Sequence, residues 1–302
     1  MSGYQEKSLT ARDGYVLSLR VYEAENPRAV VKMIHGMEEY QDRYEDFARF
    51  LQGKGYTAVT ADLRGHGPKA PFLSHIADRD GDARLLEDEE VILEAVRKRW
   101  PELPLILFGH SMGTIIARAF LQEHSGDYRK AVLSGYPNPN PAAGIGLGLV
   151  RCLSAFKGKK GYSGLVDGMV LGAFSKAVPE AKSPLDWLSV NPENVEKYAE
   201  DPLCGARFTL GSYEALFGLI RRMNDPKGYR NVRADLPFLL ISGAADPCTG
   251  GEKGRQASAE VLRRAGFRNL EMVTLEGMRH EILNEKDRQA VYDRILAFLE
   301  KE

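Results

Sequence analysis

Short apolar runs alternate with amphipathic stretches along the first 136 residues. YVLSLRVY (15–22) alternates apolar and polar positions after an Asp13-Gly14 turn signal, which predicts a strand. AVVKMI (29–34), TAVTAD (57–62), LILF (105–108) and KAVLSG (130–135) are short apolar-rich runs that predict further strands. Between them, YEDFARFLQGKG (44–55) sets Phe47, Phe50 and Leu51 at helical spacing and closes on Gly53 and Gly55. A longer helix is predicted over 82–100, with Leu85, Leu86, Val91, Ile92, Ala95 and Val96 as its apolar face and Pro101 and Pro104 beyond it. Another is predicted over 112–123. The alternation resumes near the end with LPFLLIS (236–242), a helix over 251–265, LEMVTL (270–275) and a helix over 287–300. Nearly continuous apolar strands separated by helices imply an α/β protein with a mostly parallel, doubly wound sheet covered on both faces. The polar N-terminal strand pair leaves room for an antiparallel edge.

After Pro137 the pattern changes. PNPNPAAGIGLGLV is rich in Pro, Asn and Gly, and strand runs are missing until residue 236. Helix-like pieces such as VDGMVLGAF and SYEALFGLIRRM take their place, with Phe156, Phe174, Trp187, Phe208, Tyr213 and Phe217 among them. The expected organisation is a core of 1–136 and 232–302 with a helical cap, 137–231, inserted into it. Gly144, Gly146 and Gly148 resemble a phosphate-binding loop, but no strand precedes them and no P-loop lysine follows, so a flexible or closely packed helix is expected.

Charge narrows the partners. Lys+Arg total 41 and Asp+Glu 42, and this balance argues against nucleic acid as a partner. Cys152, Cys204 and Cys248 are odd in number and far apart, which predicts neither a disulfide framework nor a zinc site. The N-terminal MSGYQEKSLTARDG is polar, and no run approaches the ~18 apolar residues of a membrane helix. A cytoplasmic chain without stable membrane insertion is expected; oligomeric state is left open.

The candidate chemistry centres on LILF-GHSMG-TIIARAF (105–120), an apolar run, a glycine-flanked serine and a helical run. A nucleophilic serine needs such a sharp strand-to-helix turn, which exposes its Oγ and aims a helix N-terminus at the reacting oxygen. A buried turn with a capping serine would look the same. A base and an acid must decide, and in doubly wound sheets they gather at strand carboxyl ends. Among the six histidines, His280 follows the last predicted strand. His110 adjoins Ser111 and should point away; His75 and His124 read as solvated, and His35 and His66 as loop-orienting. Asp246 stands at the tip of LPFLLIS, while Glu276 is too near His280 in sequence to reach its ring comfortably. Ser111, Asp246 and His280 thus occur in the order Ser…Asp…His, each after a separate strand. Two backbone N–H groups would complete the site, Met112 after the serine and Met37 in the loop after AVVKMI. No cofactor is implied, and His280-Glu281 has no second histidine at metalloprotease spacing, so no metal is expected.

HGMEEYQDRYEDFARFL, ADLRGHG, GHSMG, SGAADP and EGMRHEILNE together resemble the α/β-hydrolases grouped as monoacylglycerol lipases and lysophospholipases, within a broader serine-aminopeptidase-like set. The resemblance spans nearly the whole chain, including PLDWLS and YAEDPLCGARFT. It implies an α/β-hydrolase fold, a triad of Ser111, Asp246 and His280, and oxyanion donors at Met37 and Met112. Such lipases often read His-Gly-x-Gly-Glu at the oxyanion loop. Here the second glycine is Glu38 and the preceding residue is the bulky Met37, which narrows or reshapes the acyl-side entrance.

The expectation is a cofactor-free serine hydrolase of carboxylic esters, acting on monoacylglycerol or lysophospholipid, with the substrate pocket formed by the cap near Met37. Two rivals stand beside it. A serine aminopeptidase would need a cap carboxylate cluster for the substrate amine, for which Glu180, Asp186, Glu193, Glu196, Glu200 and Asp201 are available. A non-catalytic binding protein on a hydrolase fold would be expected to lack a triad member.

Overall fold

The computed structural model describes residues 3–301. Its strands are β1 (Gln5–Thr10), β2 (Val16–Tyr22), β3 (Ala29–Ile34), β4 (Tyr56–Ala61), β5 (Leu105–His110), β6 (Lys130–Ser134), β7 (Phe238–Gly243) and β8 (Leu270–Leu275). The helices are α1 (Glu45–Gly53), α2 (Gly81–Arg99), α3 (Met112–His124), α4 (Ala143–Lys157), α5 (Gly164–Val170), α6 (Gly172–Lys176), α7 (Pro192–Glu200), α8 (Leu210–Asn224), α9 (Gly251–Arg264) and α10 (Arg288–Glu300). The strands form one eight-stranded sheet in the order β1-β2-β4-β3-β5-β6-β7-β8. β2 runs antiparallel to both β1 and β4, and every other neighbouring pair is parallel. The antiparallel edge therefore lies where the chain is polar, and β1 is exposed along most of its length.

Side chains alternate across a strand, so continuous apolar runs feed two cores. Along β5, Leu105 and Leu107 enter one cluster while Ile106 and Phe108 enter the other. β7 does the same with Phe238 and Leu240 against Leu239 and Ile241. α2, α3 and α9 cover the first face, and α1 and α10 cover the second.

Between β6 and β7 the described residues are helical and irregular. α7 opens on Asn191, whose side chain accepts from the Glu193 N–H, with Pro192 at the first helical position. α8 opens on Thr209, which accepts from the Ser212 N–H. α8 does not sit apart from the core. Leu210, Tyr213, Leu216, Leu219 and Met223 join the same apolar cluster as α2 and α3. Gly146 lets α4 approach it closely, since a Cβ there would meet the Phe217 ring at 2.8 Å.

Parallel register brings the carboxyl ends of the central strands level. Ile34 of β3 pairs with Gly109 of β5, His110 with Ser134 of β6, and Ser134 with Ile241 of β7. The loops after β3, β5, β6, β7 and β8 therefore meet at one edge of the sheet.

Candidate active site

Ser111 sits between β5 and α3 with φ 50° and ψ −119°. A non-glycine residue at positive φ stores roughly 1–3 kcal/mol of strain and needs its surroundings to hold it. Here the Ser111 N–H donates to the Ser134 carbonyl at 3.0 Å, and the Ser111 carbonyl accepts from the Thr114 N–H at 2.9 Å. The flanking glycines are required by close packing. A Cβ at Gly109 would stand 2.7 Å from the Gly113 carbonyl oxygen, and one at Gly113 would run into the Ile34 carbonyl.

His280 and Asp246 meet in the loops after β8 and β7. The His280 Nδ1 is 3.0 Å from the Asp246 Oδ2, and both side chains are buried. The second carboxylate oxygen, Oδ1, accepts the Cys248 N–H at 2.9 Å. Burial pushes the His280 imidazolium down, but the Asp246 charge and hydrogen bond prevail and hold its pKa above the ordinary value. His110 packs at 4.7 Å from the His280 ring, and Trp187 at 4.9 Å. Glu276 is exposed in the loop before.

One cavity of about 520 Å³ is lined by Ser111, His280, Met37 and Met112 together. The loop after β3 closes against the serine: a Cβ at Gly36 would be 3.1 Å from the Ser111 Cβ. The Gly36 N–H is already taken by Glu39 Oε1 at 2.5 Å. Among the described residues, the N–H groups of Met37 and Met112 have no acceptor. Met112 opens α3, where the first N–H groups have no intrahelical partner. His35 fixes this loop from below, with Nδ1 2.8 Å from the Gly36 carbonyl and Nε2 accepting the Leu63 N–H at 2.9 Å. His66 Nδ1 likewise reaches the Arg64 carbonyl at 2.8 Å. His75 departs from expectation. It is not solvated, because Nδ1 bonds Thr209 Oγ1 at 2.9 Å where α8 begins.

The far side of the cavity is apolar. Met169, Leu171, Phe174, Leu185, Trp187 and Phe217 line it, all from the segment between β6 and β7. Of the six cap carboxylates available to bind an amine, none lines the cavity. Glu180, Glu193, Glu196 and Glu200 are exposed. The acidic residues on the wall are Glu38, Glu39, Asp167 and Glu281.

Sequence reading singled out Glu38 as a departure at the entrance but gave Glu39, Asp167 and Glu281 no role, although Glu39, Arg43, Glu281 and Glu285 all lie in the motif strings. Glu39 is held by near neighbours, but the partners of Glu281 and Glu285 are distant in the chain. Arg43 bonds Glu281 at 2.5 Å and approaches Glu39 at 3.4 Å. Asn194 of α7 adds a hydrogen bond to Glu281 at 2.6 Å. Burial, with the Glu281 charge behind it, raises Glu39 to about 7 against the pull of Arg43. Glu285 accepts from the Ser189 hydroxyl at 2.7 Å and from the Val190 and Arg279 N–H groups, each at 3.0 Å. It thereby ties the stretch after Trp187 to the His280 loop.

Known proteins resemble this chain along nearly its whole length. The chain is 27% identical to a monoacylglycerol lipase of Mycolicibacterium smegmatis over 278 residues, 91% of this chain and 89% of the relative. It is 23% identical to a phospholipase of Bacillus subtilis, covering 93% of this chain and 98% of that one. The structure superimposes on a thermostable carboxyl esterase of Bacillus coagulans, solved with glycerol, with a TM-score of 0.90 at 25% identity, covering 99% and 98% of the two chains. The fold is that of an α/β-hydrolase. Residues 25–287 match the model of the family described as serine aminopeptidase, S33, and the chain belongs to that hydrolase family.

Proposed function

We propose that the protein is a serine hydrolase of carboxylic esters, with Ser111 as nucleophile, His280 as general base and acid, and Asp246 as the group that orients it. The observation that carries this reading is the His280–Asp246 pair, bonded at 3.0 Å, with His280 lining the same cavity as a serine held at positive φ. The Ser111 oxygen bonds to the acyl carbon while its proton passes to His280 Nε2. The tetrahedral oxyanion is held by the Met37 and Met112 N–H groups. His280 then protonates the leaving alcohol, and an acyl-enzyme remains. Water enters, gives its proton to His280, and releases the acid as Ser111 regains its proton.

Asp246 keeps the imidazole in the tautomer with Nδ1–H and stabilises the imidazolium as it forms. The segment 137–231 acts as a cap on the core of 1–136 and 232–302, and its apolar wall takes the acyl chain. The substrate class is a glycerol-based ester, a monoacylglycerol or a lysophospholipid; the relatives named a monoacylglycerol lipase and a phospholipase support it. A fluorophosphonate probe should label the wild-type protein and not Ser111→Ala. Equal labelling of the two would overturn the assignment.

A further inference from the structure

We propose that Glu38 selects substrates by charge, disfavouring esters whose alcohol part carries a phosphate relative to neutral ones of the same acyl chain. The inference rests on Ser111 being the nucleophile of an ester hydrolase, and deepens that reading.

Glu38 occupies a position that its backbone does not favour. Its φ is 58°, in the left-handed region where a glycine is unstrained. The side chain is also fixed in place. It is 8% exposed, and Oε1 accepts the Phe208 N–H at 3.2 Å. The Glu38 carbonyl accepts from the Tyr198 hydroxyl and the Gly205 N–H, each at 2.8 Å. The carboxyl is therefore buried beside the Phe208 N–H, on a backbone held from two sides.

The charge inventory of the cavity singles it out. No lysine or arginine is among the described residues of the wall, while four acidic groups are. Glu39 and Glu281 share Arg43, and Asp167 is bonded by Arg207 and by the Tyr213 hydroxyl. Glu38 has no ion-pair partner among the described residues and holds only a backbone N–H. Glu39 and Glu281 hold one arginine between them, whereas Glu38 has no cation bonded to it among the described residues and lies one residue from the Met37 donor. A phosphate needs cations or several free N–H groups. In the proposed site the free donors, Met37 and Met112, belong to the ester oxygen.

Protonation modulates the effect. Burial raises Glu38 to about 7, helped by Asp167 of α5 and opposed by the Phe208 N–H and by Arg207. Tyr198 of α7 faces it as a neutral phenol. Below that value the carboxyl is neutral and tolerates an anionic neighbour; above it, the carboxylate repels one.

The test compares two soluble substrates with one acyl chain, 1-octanoylglycerol and 1-octanoylglycerol 3-phosphate, at pH 6 and pH 8. The wild-type preference for the neutral ester should widen from pH 6 to pH 8. In Glu38→Gln, the ratio of kcat/KM for the phosphate ester to that for the neutral ester should rise about tenfold at pH 8, and its fall from pH 6 to pH 8 should be shallower than in the wild type, the remaining slope coming from Glu39 and the second ionisation of the phosphate itself. Glu38→Gly, which relieves the positive φ and removes the charge, should act in the same direction. A ratio unchanged in both variants overturns the proposal while leaving the ester hydrolase intact. Failure of the wild type on both esters, with Ser111→Ala no different, overturns the ester reading and the selectivity with it.

Discussion

The strands that carry the site and the α4–α8 segment that lines its far wall are built on different plans. β3, β5, β6 and β7 are buried along their full length and split their side chains between two cores. In the α4–α6 stretch, by contrast, Ile145 is 79% exposed and Phe156 85%, and Leu165 and Met169 are also open. The strands fix atoms: each proposed reactive group follows a strand end and is held by backbone hydrogen bonds. The α4–α6 part of the segment supplies a surface, an apolar wall with few polar ties of its own, while α7 and the start of α8 are bonded to the core loops. Asp167 to Tyr213 and Arg207, and the Ser175 hydroxyl to the Pro184 carbonyl at 2.6 Å, are the ties of α5 and α6. A change on the strand side should therefore alter chemistry, and one in the segment should alter fit.

The largest expected effect tests the strand side. Asp246→Asn should lower kcat for ester hydrolysis by roughly 10⁴-fold, because the imidazole loses its tautomer and its counter-charge. The pH profile gives a sharper reading. The base must be neutral, so kcat/KM falls as pH drops through the His280 pKa, which Asp246 holds above the ordinary 6.5. In Asp246→Asn, burial acts without that opposing charge, and the acid limb of the residual activity should move below its wild-type position. A limb that stays in place would detach Asp246 from His280 and break the proposed division of labour.

The sequence carried the strand side because local signals coincide there. LILF, GHSMG and the run after it predict strand, turn and helix from neighbours alone, and the structure places β5, Ser111 and α3 on them. Asp246 and His280 could be ranked because a doubly wound sheet collects groups at strand ends. The Arg43–Glu281–Asn194 network was not legible, since its members are joined only by the packing of α7 on the loop after β3. The position of α8 was also hidden. SYEALFGLIRRM reads as a helix, but nothing in its periodicity says that it enters the main core with α2 and α3 rather than sitting on the insertion. Glu38 stood out as a departure from a glycine motif, yet its bond to Phe208 links residues separated by most of the insertion.

The second test divides the segment itself. Phe208 is fully buried, packs edge-on against His66 at 5.6 Å, and contacts Tyr213 at the same distance. Phe208→Ala should cost about 3–5 kcal/mol of unfolding free energy, the range for emptying an aromatic core site. Denaturant titration measures it. A cost under ~1 kcal/mol would return α8 and its approach to a loosely seated cap.

The smallest expected effect lies on the opposite face of the same segment. Phe156 ends α4 with its ring in solvent, so it contributes no burial that a substitution could remove. Phe156→Ser should change unfolding free energy by less than about 0.5 kcal/mol, the range of ordinary surface positions. Hydrolysis of a soluble short-chain ester should match wild type, because Phe156 is not on the cavity wall. Read with Phe208→Ala, this pair separates two phenylalanines of one insertion by burial alone. A stability loss from Phe156→Ser comparable to that from Phe208→Ala would mean that the exposed face of α4 is covered in the folded protein, and the contrast between fixed strands and an open segment would fail there first.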